Sequence, residues 1–317
     1  MKTGLMLPTW SGAMNGATPT TRDVIAFAEL AEQVGFDSLW VSDHFLNEPY
    51  VDYADAIGSV MPEAYRGIKA GAWECWSLMA ALAVRTTQVT LGTLVSNTGF
   101  RNPALLARMI DTIDDLSGGR VVAGLGAGDF PTEHRAFGYP FERRVSRFEE
   151  ALAIIKPLLA GASSTMTGEF YRTEDATLLP KGLRSGGPPI MIGALRGGPR
   201  MLRLVVQYAD HWNCMLPFGD SHPPAYEAAW QVVLDACAKH GRDAATLSRH
   251  VTVGVCLVDG TYPLPGAQPL AGGTARLIAQ LEDYAERGVD TLSMVVEPCT
   301  PASLEALAPV LAHFNAR

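Results

Sequence analysis

The sequence predicts an α/β fold in which eight strand–helix units close into a (β/α)8 barrel, with insertion segments in the loops at its C-terminal face. Three observations point there. Short apolar runs alternate with longer amphipathic segments from end to end, the pattern of parallel strands joined by crossover helices. Eight such pairs can be counted along the chain. The length of 317 residues suits one such barrel, because barrels of this kind often exceed ~250 residues as one domain.

Taken in order, strands are expected near residues 3–7, 37–41, 89–95, 121–126, 189–192, 210–214, 251–256 and 290–295. Helices are expected near 20–34, 74–85, 102–116, 142–160, 196–208, 222–240, 272–287 and 302–315. In the first helix Phe27, Leu30, Ala31 and Val34 recur at helical spacing, and Gly35 supplies the stop. In the third, Asp111, Asp114 and Asp115 mark a polar face, and Gly118-Gly119 ends it. Residues 1–317 are read as a single barrel domain with two irregular segments. One is the long connection 46–72, with Tyr50, Tyr53 and Tyr65, and the other is the Gly/Pro/Thr-rich insertion 161–188. Loops of this length in compact proteins commonly cover a site. A third irregular piece, 257–271, carries Pro263, Pro265 and Pro269 and faces the same mouth in this reading.

Composition narrows the function. Apolar residues make up 48% and charged residues 18% of the chain, so a large core is available. The net charge of −8 comes with no cluster of Lys and Arg, which argues against nucleic acid or an anionic membrane as partner. The N-terminal apolar run is too short for a secretory leader, and no uncharged run is long enough to span a bilayer, so a cytoplasmic protein is expected. The five cysteines are scattered, with no Cys-x-x-Cys, and no ligand cluster indicates a metal.

A barrel places its active site at the C-terminal ends of its strands. Strand two there runs into Asp43-His44, in the stretch SLWVSDHF. An imidazole exchanges protons near neutral pH, and a neighbouring acid can orient a ligand. The same pair also suits a histidine simply held at a strand end. Strand four ends in Gly124-Leu125-Gly126-Ala127-Gly128-Asp129. A dinucleotide fingerprint would need glycine where Asp129 stands, so these glycines better serve a tight turn or close approach to a flat ligand. After strand five, Ile192-Gly193-Ala194-Leu195-Arg196-Gly197-Gly198-Pro199-Arg200 offers backbone N–H groups and two arginines to a phosphate, or else a plain Gly-rich turn. Leu94-Val95-Ser96-Asn97 ends strand three. Glu133 and His134 could serve a site, but surface pairing is the commoner fate of such residues, and Asp210-His211-Trp212 is a second Asp-His-aromatic segment whose histidine has at most a minor part in the site.

Jointly these landmarks resemble the bacterial luciferase-like monooxygenase family, in particular its branch of coenzyme F420-dependent oxidoreductases. The similarity is carried by LGTLVSNTGFRNPALLARMIDTIDDLSGGRVVAGLGAGDFPTEHRAFGYPFERRVSRFEEAL, beginning at Leu91, by PPIMIGALRGGPRMLRLVVQYADHWN, beginning at Pro188, and by VSDHF on strand two. It implies a deazaflavin bound at the barrel mouth. Asp43 would lie near the ring edge, Leu94 and Val95 behind the ring, with Asn97 and the Gly126-Ala127-Gly128 turn beside it. The loop Gly193, Ala194, Leu195, Arg196, Gly197, Gly198 would hold the phosphate. His44 would give or take the proton beside the carbon that transfers hydride. Several deazaflavin relatives have a non-prolyl cis peptide in the strand-three bulge, which here would join Leu94 and Val95. The loop GALRGGP departs from the shorter Gly-Ala-Gly-Pro-like turn of many relatives. A homodimer through helices two and three is also implied. Two alternatives stay open: a flavin mononucleotide (FMN) monooxygenase using reduced flavin and oxygen, and a non-catalytic flavin-binding barrel. The substrate is a small molecule of unread identity.

Overall fold

The computed structural model of the chain describes residues 1–48, 51–52, 63, 66–194, 198–216, 219–257 and 266–316. Tyr50, Tyr53, Tyr65, Pro263 and Pro265, and the loop residues Leu195, Arg196 and Gly197, lie outside the described residues. Eight parallel strands form the barrel: β1 (Lys2–Met6), β2 (Ser38–Val41), β3 (Thr90–Thr93), β4 (Val121–Gly126), β5 (Ile190–Gly193), β6 (His211–Met215), β7 (Ser248–Cys256) and β8 (Thr291–Glu297). Each pairs with its neighbours in sequence, β8 returns to β1, and β4 pairs directly with β5, which closes the cylinder.

Nine α-helices are found among the described residues: α1 (Thr21–Val34), α2 (Cys75–Arg85), α3 (Pro103–Leu116), α4 (Pro131–Phe137), α5 (Arg144–Leu159), α6 (Pro199–Tyr208), α7 (Pro223–His240), α8 (Thr274–Glu286) and α9 (Pro301–Asn315). Local chemistry sets their ends. Thr20 and Asp23 form a reciprocal capping box on α1, and Gly35, at a positive φ of 107°, stops it. Helix α6 starts at Pro199 and not at 196, because Gly198 is its N-cap and proline's fixed φ suits the first helical position.

Strand β4 is buried along its whole length, as expected of a parallel strand covered on both faces. One apolar layer lies between the strands and the outer helices; a second, smaller one fills the barrel interior, where Trp40, Leu94, Val122 and Met191 pack together. Trp40 has room there only because residue 92 is glycine: a Cβ at Gly92 would sit 2.2 Å from Trp40 Cζ3. His250 completes this plug, its Nε2 2.7 Å from Ser293 Oγ and its ring against Trp40 at 4.5 Å. Burial pushes its pKa down to about 3, so it stays neutral.

Three expectations change. The strand expected at 89–95 stops at Thr93 and resumes as Ser96–Asn97, which pairs with Leu125 and Gly126 of β4. The insertion 161–188 is not structureless, since Ser164–Thr167 and Arg172–Ala176 form an antiparallel hairpin. Asp114 is no solvent-facing residue of α3: it is 1% exposed, and Arg184 of the insertion donates to it from Nε at 2.8 Å and Nη2 at 2.5 Å.

Candidate active site

A cavity of about 900 Å³ opens at the C-terminal end of the barrel, directly above the Trp40 plug. Its lining includes Met6, Leu94, Val95 and Met215, the upper members of the interior layer. Around them stand Trp10, Asp43, His44, Asn97, the turn Gly126-Ala127-Gly128 and Asp129, with Gly193, Ala194 and Gly198 across the mouth. Of the residues that the resemblance assigns to the cofactor and the proton, this cavity gathers all that are described. His211 opens β6 at the opposite, N-terminal end, so it has no place in the site. Arg200 is also turned away: it binds Glu149 of α5 through Nε at 2.9 Å and Nη2 at 2.6 Å.

The glycines of the β4 turn are required by what lies against them. A Cβ at Gly126 would come within 2.6 Å of Val95 Cγ2, and one at Gly128, where φ is +82°, within 2.5 Å of Asn97 Nδ2. They let the turn close onto the bulge of β3. In that bulge the Leu94–Val95 peptide is cis, as the resemblance implied.

Asp43 lines the cavity where the resemblance places it, but it is 0% exposed and its carboxylate is held by donors of the protein. Oδ2 accepts from Ser96 Oγ at 2.7 Å, from Asn97 N at 3.1 Å and from Arg101 Nη1 at 2.6 Å; Oδ1 accepts from Arg101 Nη2 at 3.0 Å. Arg101 also reaches Glu74 at the start of α2, at 2.5 Å. Asp43 thus ties the end of β2 to the bulge of β3, and a fork-shaped guanidinium matched to the carboxylate makes the tie directional.

His44 points the other way. Its ring stacks on Phe130, centroids 4.4 Å apart, with Trp10 at 5.3 Å. Its Nδ1 lies 2.8 Å from Glu133 Oε1, and Nε2 lies 4.0 Å from Asp129 Oδ1 on the cavity wall. Glu133 is 0% exposed, and its second oxygen accepts the backbone N–H groups of Phe45 and Leu46 at 2.8 and 3.3 Å. Burial by itself would push the His44 pKa down. Burial is the largest single influence, but the Glu133 hydrogen bond and the charges of Asp129, Glu133 and Asp43 together outweigh it and hold the pKa at about 9. His44, Asp129 and Glu133 form a group with ligand atoms within 4.8 Å of one another, a cluster the sequence spacing did not reveal. The hydrogen bonds of Glu133 account for its geometry with the imidazole alone.

Glu133 and His134 are therefore the residues that sequence reading misplaced. They sit on α4, which was not expected. Its signals were present: Pro131 at the first helical position and Gly138, at a φ of 77°, as the stop.

A profile of luciferase-like monooxygenases matches residues 1–261. The chain belongs to that family. Among its relatives, a 5,10-methylenetetrahydromethanopterin reductase of Archaeoglobus fulgidus is 33% identical over 216 residues, 68% of this chain and 54% of that one. An F420-dependent glucose-6-phosphate dehydrogenase of Nocardia farcinica is 32% identical over 243 residues, 73% of this chain and 64% of that one. The alignments thus span between about half and two thirds of the length of these curated relatives. The structure of a coenzyme F420 dependent tetrahydromethanopterin reductase from Methanopyrus kandleri superposes over 99% of both chains with a TM-score of 0.74, at 18% identity, a likeness of fold. Among the described residues, no helix is long and apolar enough to cross a membrane.

Proposed function

We propose that this chain is an oxidoreductase that transfers a hydride between coenzyme F420 and a small organic substrate, with His44 handling the accompanying proton. The observation that carries the reading is the buried Glu133 carboxylate on His44 Nδ1, which leaves Nε2 as the proton-exchanging atom on the cavity side. Relatives at 31–34% identity that are named as F420-dependent enzymes or methylenetetrahydromethanopterin reductases support the choice of cofactor.

The residues present fit such a group. The cavity is large enough for a tricyclic ring. Val95 and Leu94 offer it an apolar seat, and Asn97 with the Gly126–Gly128 turn offers polar contacts at close range. Gly198, an N-cap with no side-chain partner, leaves the first N–H groups of α6 for a phosphate. When bound, the deazaflavin supplies or accepts the hydride.

The chain's own part is proton and position. A pKa of about 9 means His44 stands protonated on both nitrogens at neutral pH. Nδ1–H is committed to Glu133, and Nε2–H can pass to the oxygen of a carbonyl as hydride reaches its carbon, so that C=O becomes CH–OH. In the reverse direction neutral Nε2 takes the hydroxyl proton. The protonated resting form favours the reducing direction at neutral pH. Asp43 works from behind, keeping the end of β2 and the bulge of β3 in register.

We also infer a homodimer and a cytoplasmic location. Val84, on α2, with Leu105 and Leu116, on α3, are large, exposed apolar side chains that support the expected contact through these helices, and the buried free thiols of Cys75, Cys214, Cys237 and Cys299 suit a reducing compartment. Titration of the purified full chain with F420 and with FMN tests the central reading. Saturable F420 binding and hydride exchange with a carbonyl or alcohol are expected; tight FMN binding with none for F420 overturns it.

A further inference from the structure

Helix α4 places two adjacent residues against the site, and the reading above uses only Glu133. The next residue, His134, is 1% exposed and lies between Asn97 and Pro140. Its hydrogen bonds admit one arrangement. The backbone N–H of Gly99 can only donate, so the Asn97 atom 2.9 Å from it must be the carbonyl oxygen Oδ1. Asn97 Nδ2 is then the amide nitrogen, also a donor, and the His134 Nε2 that it meets at 2.9 Å must accept. The ring proton is thereby on Nδ1, which donates to the Pro140 carbonyl at 3.1 Å. Burial, the largest influence on this imidazole, pushes its pKa down and keeps the neutral form that the chain of bonds requires.

We infer that His134 is a positioning residue: as the neutral Nδ1–H tautomer it sets the Asn97 side-chain amide and leaves the second Nδ2–H of that amide for a polar edge of the bound ring. Asn97 borders the cavity, and its Nδ2 lies against Gly128 in the β4 turn. An amide rotated by 180° would put two donors face to face at Gly99 and an acceptor against Nε2, so the imidazole enforces one orientation. Glu133 and His134 thus give one short helix control of both polar contacts, the proton carrier His44 and the donor Asn97. This rests on the cavity being the seat of a deazaflavin or flavin.

The test uses the full chain. Without any ligand at pH 7, nitrogen NMR of 15N-histidine-labelled protein is expected to show His134 as the neutral Nδ1–H tautomer. An imidazolium or an Nε2–H tautomer overturns the proposal whether or not any cofactor binds. In F420 titrations followed by fluorescence, His134→Phe and Asn97→Ala are each expected to raise Kd about tenfold, the effect of one lost hydrogen bond. The double variant should be no weaker than either single one, because both remove the same contact. His134→Gln, whose Oε1 can stand in for Nε2, should return Kd to within about threefold of the parent. Additive losses, or a Gln variant as weak as the Phe variant, overturn the inference. A parent protein that binds neither F420 nor FMN sinks the functional proposal, while the tautomer measurement still decides the role of His134.

Discussion

Replacing Glu133 by Gln keeps the shape of the side chain beside His44 and removes its charge. The size of the effect can be worked from the site. In the folded protein the His44 pKa is held at about 9 against an ordinary 6.5. At about 1.4 kcal/mol per tenfold change, that difference is about 3 kcal/mol of net preference for the imidazolium. Burial opposes it, so without the Glu133 carboxylate the pKa should fall to about 7 or below, Asp129 and Asp43 supplying what remains. The linkage has a definite sign. Because the folded pKa is raised, the pair stabilises the fold fully below about pH 6.5, where an unfolded histidine is also protonated. That contribution fades between pH 6.5 and about 9 and is gone above. Two assays check it: an NMR titration of the His44 ring protons, and the pH profile of turnover in the reducing direction. The parent should lose activity as pH rises through about 9, and Glu133→Gln should move that limb down by about two pH units. A parent histidine titrating near 6.5, or a variant that still titrates near 9, would refute the assignment of Glu133 as the source of the shift.

Three further outcomes are expected. His44→Ala should lower turnover by ~10²-fold or more while cofactor affinity changes little, as measured by steady-state kinetics beside a binding titration. Gly126→Ala brings a Cβ to 2.6 Å from Val95 Cγ2, so Val95 must shift; F420 affinity should drop by more than about tenfold, with the unfolding midpoint moving less than the affinity suggests. Arg184→Leu leaves the Asp114 carboxylate, 1% exposed, without its cation, and should destabilise the fold by roughly 3 kcal/mol in urea unfolding.

The barrel was legible because its strands carry their own evidence. Val121–Gly126 reads as continuously apolar and is buried on both faces, so its limits came out residue for residue. Gly35 and Gly118-Gly119 ended α1 and α3 for reasons of backbone geometry that no tertiary contact overrides. The candidate site was legible only as positions. Asp43 and His44 look alike in sequence, two polar residues at one strand end, yet one meets Arg101, 58 residues on, and the other Glu133, 89 residues on. Charge pairing over such distances leaves no periodic trace. Alternation of side chains is what sends the neighbours to opposite sides, and it does not say which side is the cavity. The insertion was misread for a related reason: Arg184 and Asp114 look like solvated charges until the segment after the hairpin is folded onto α3.

One carboxylate, Glu133, receives the N–H groups of Phe45 and Leu46 as well as the imidazole. The chain just after β2 and the His44 imidazole therefore share a single anchor. A guest that draws Phe45 and Leu46 away from that anchor weakens the shell around the carboxylate and changes the acidity of His44. In this barrel, the proton affinity of His44 is a gauge of how the rim is occupied.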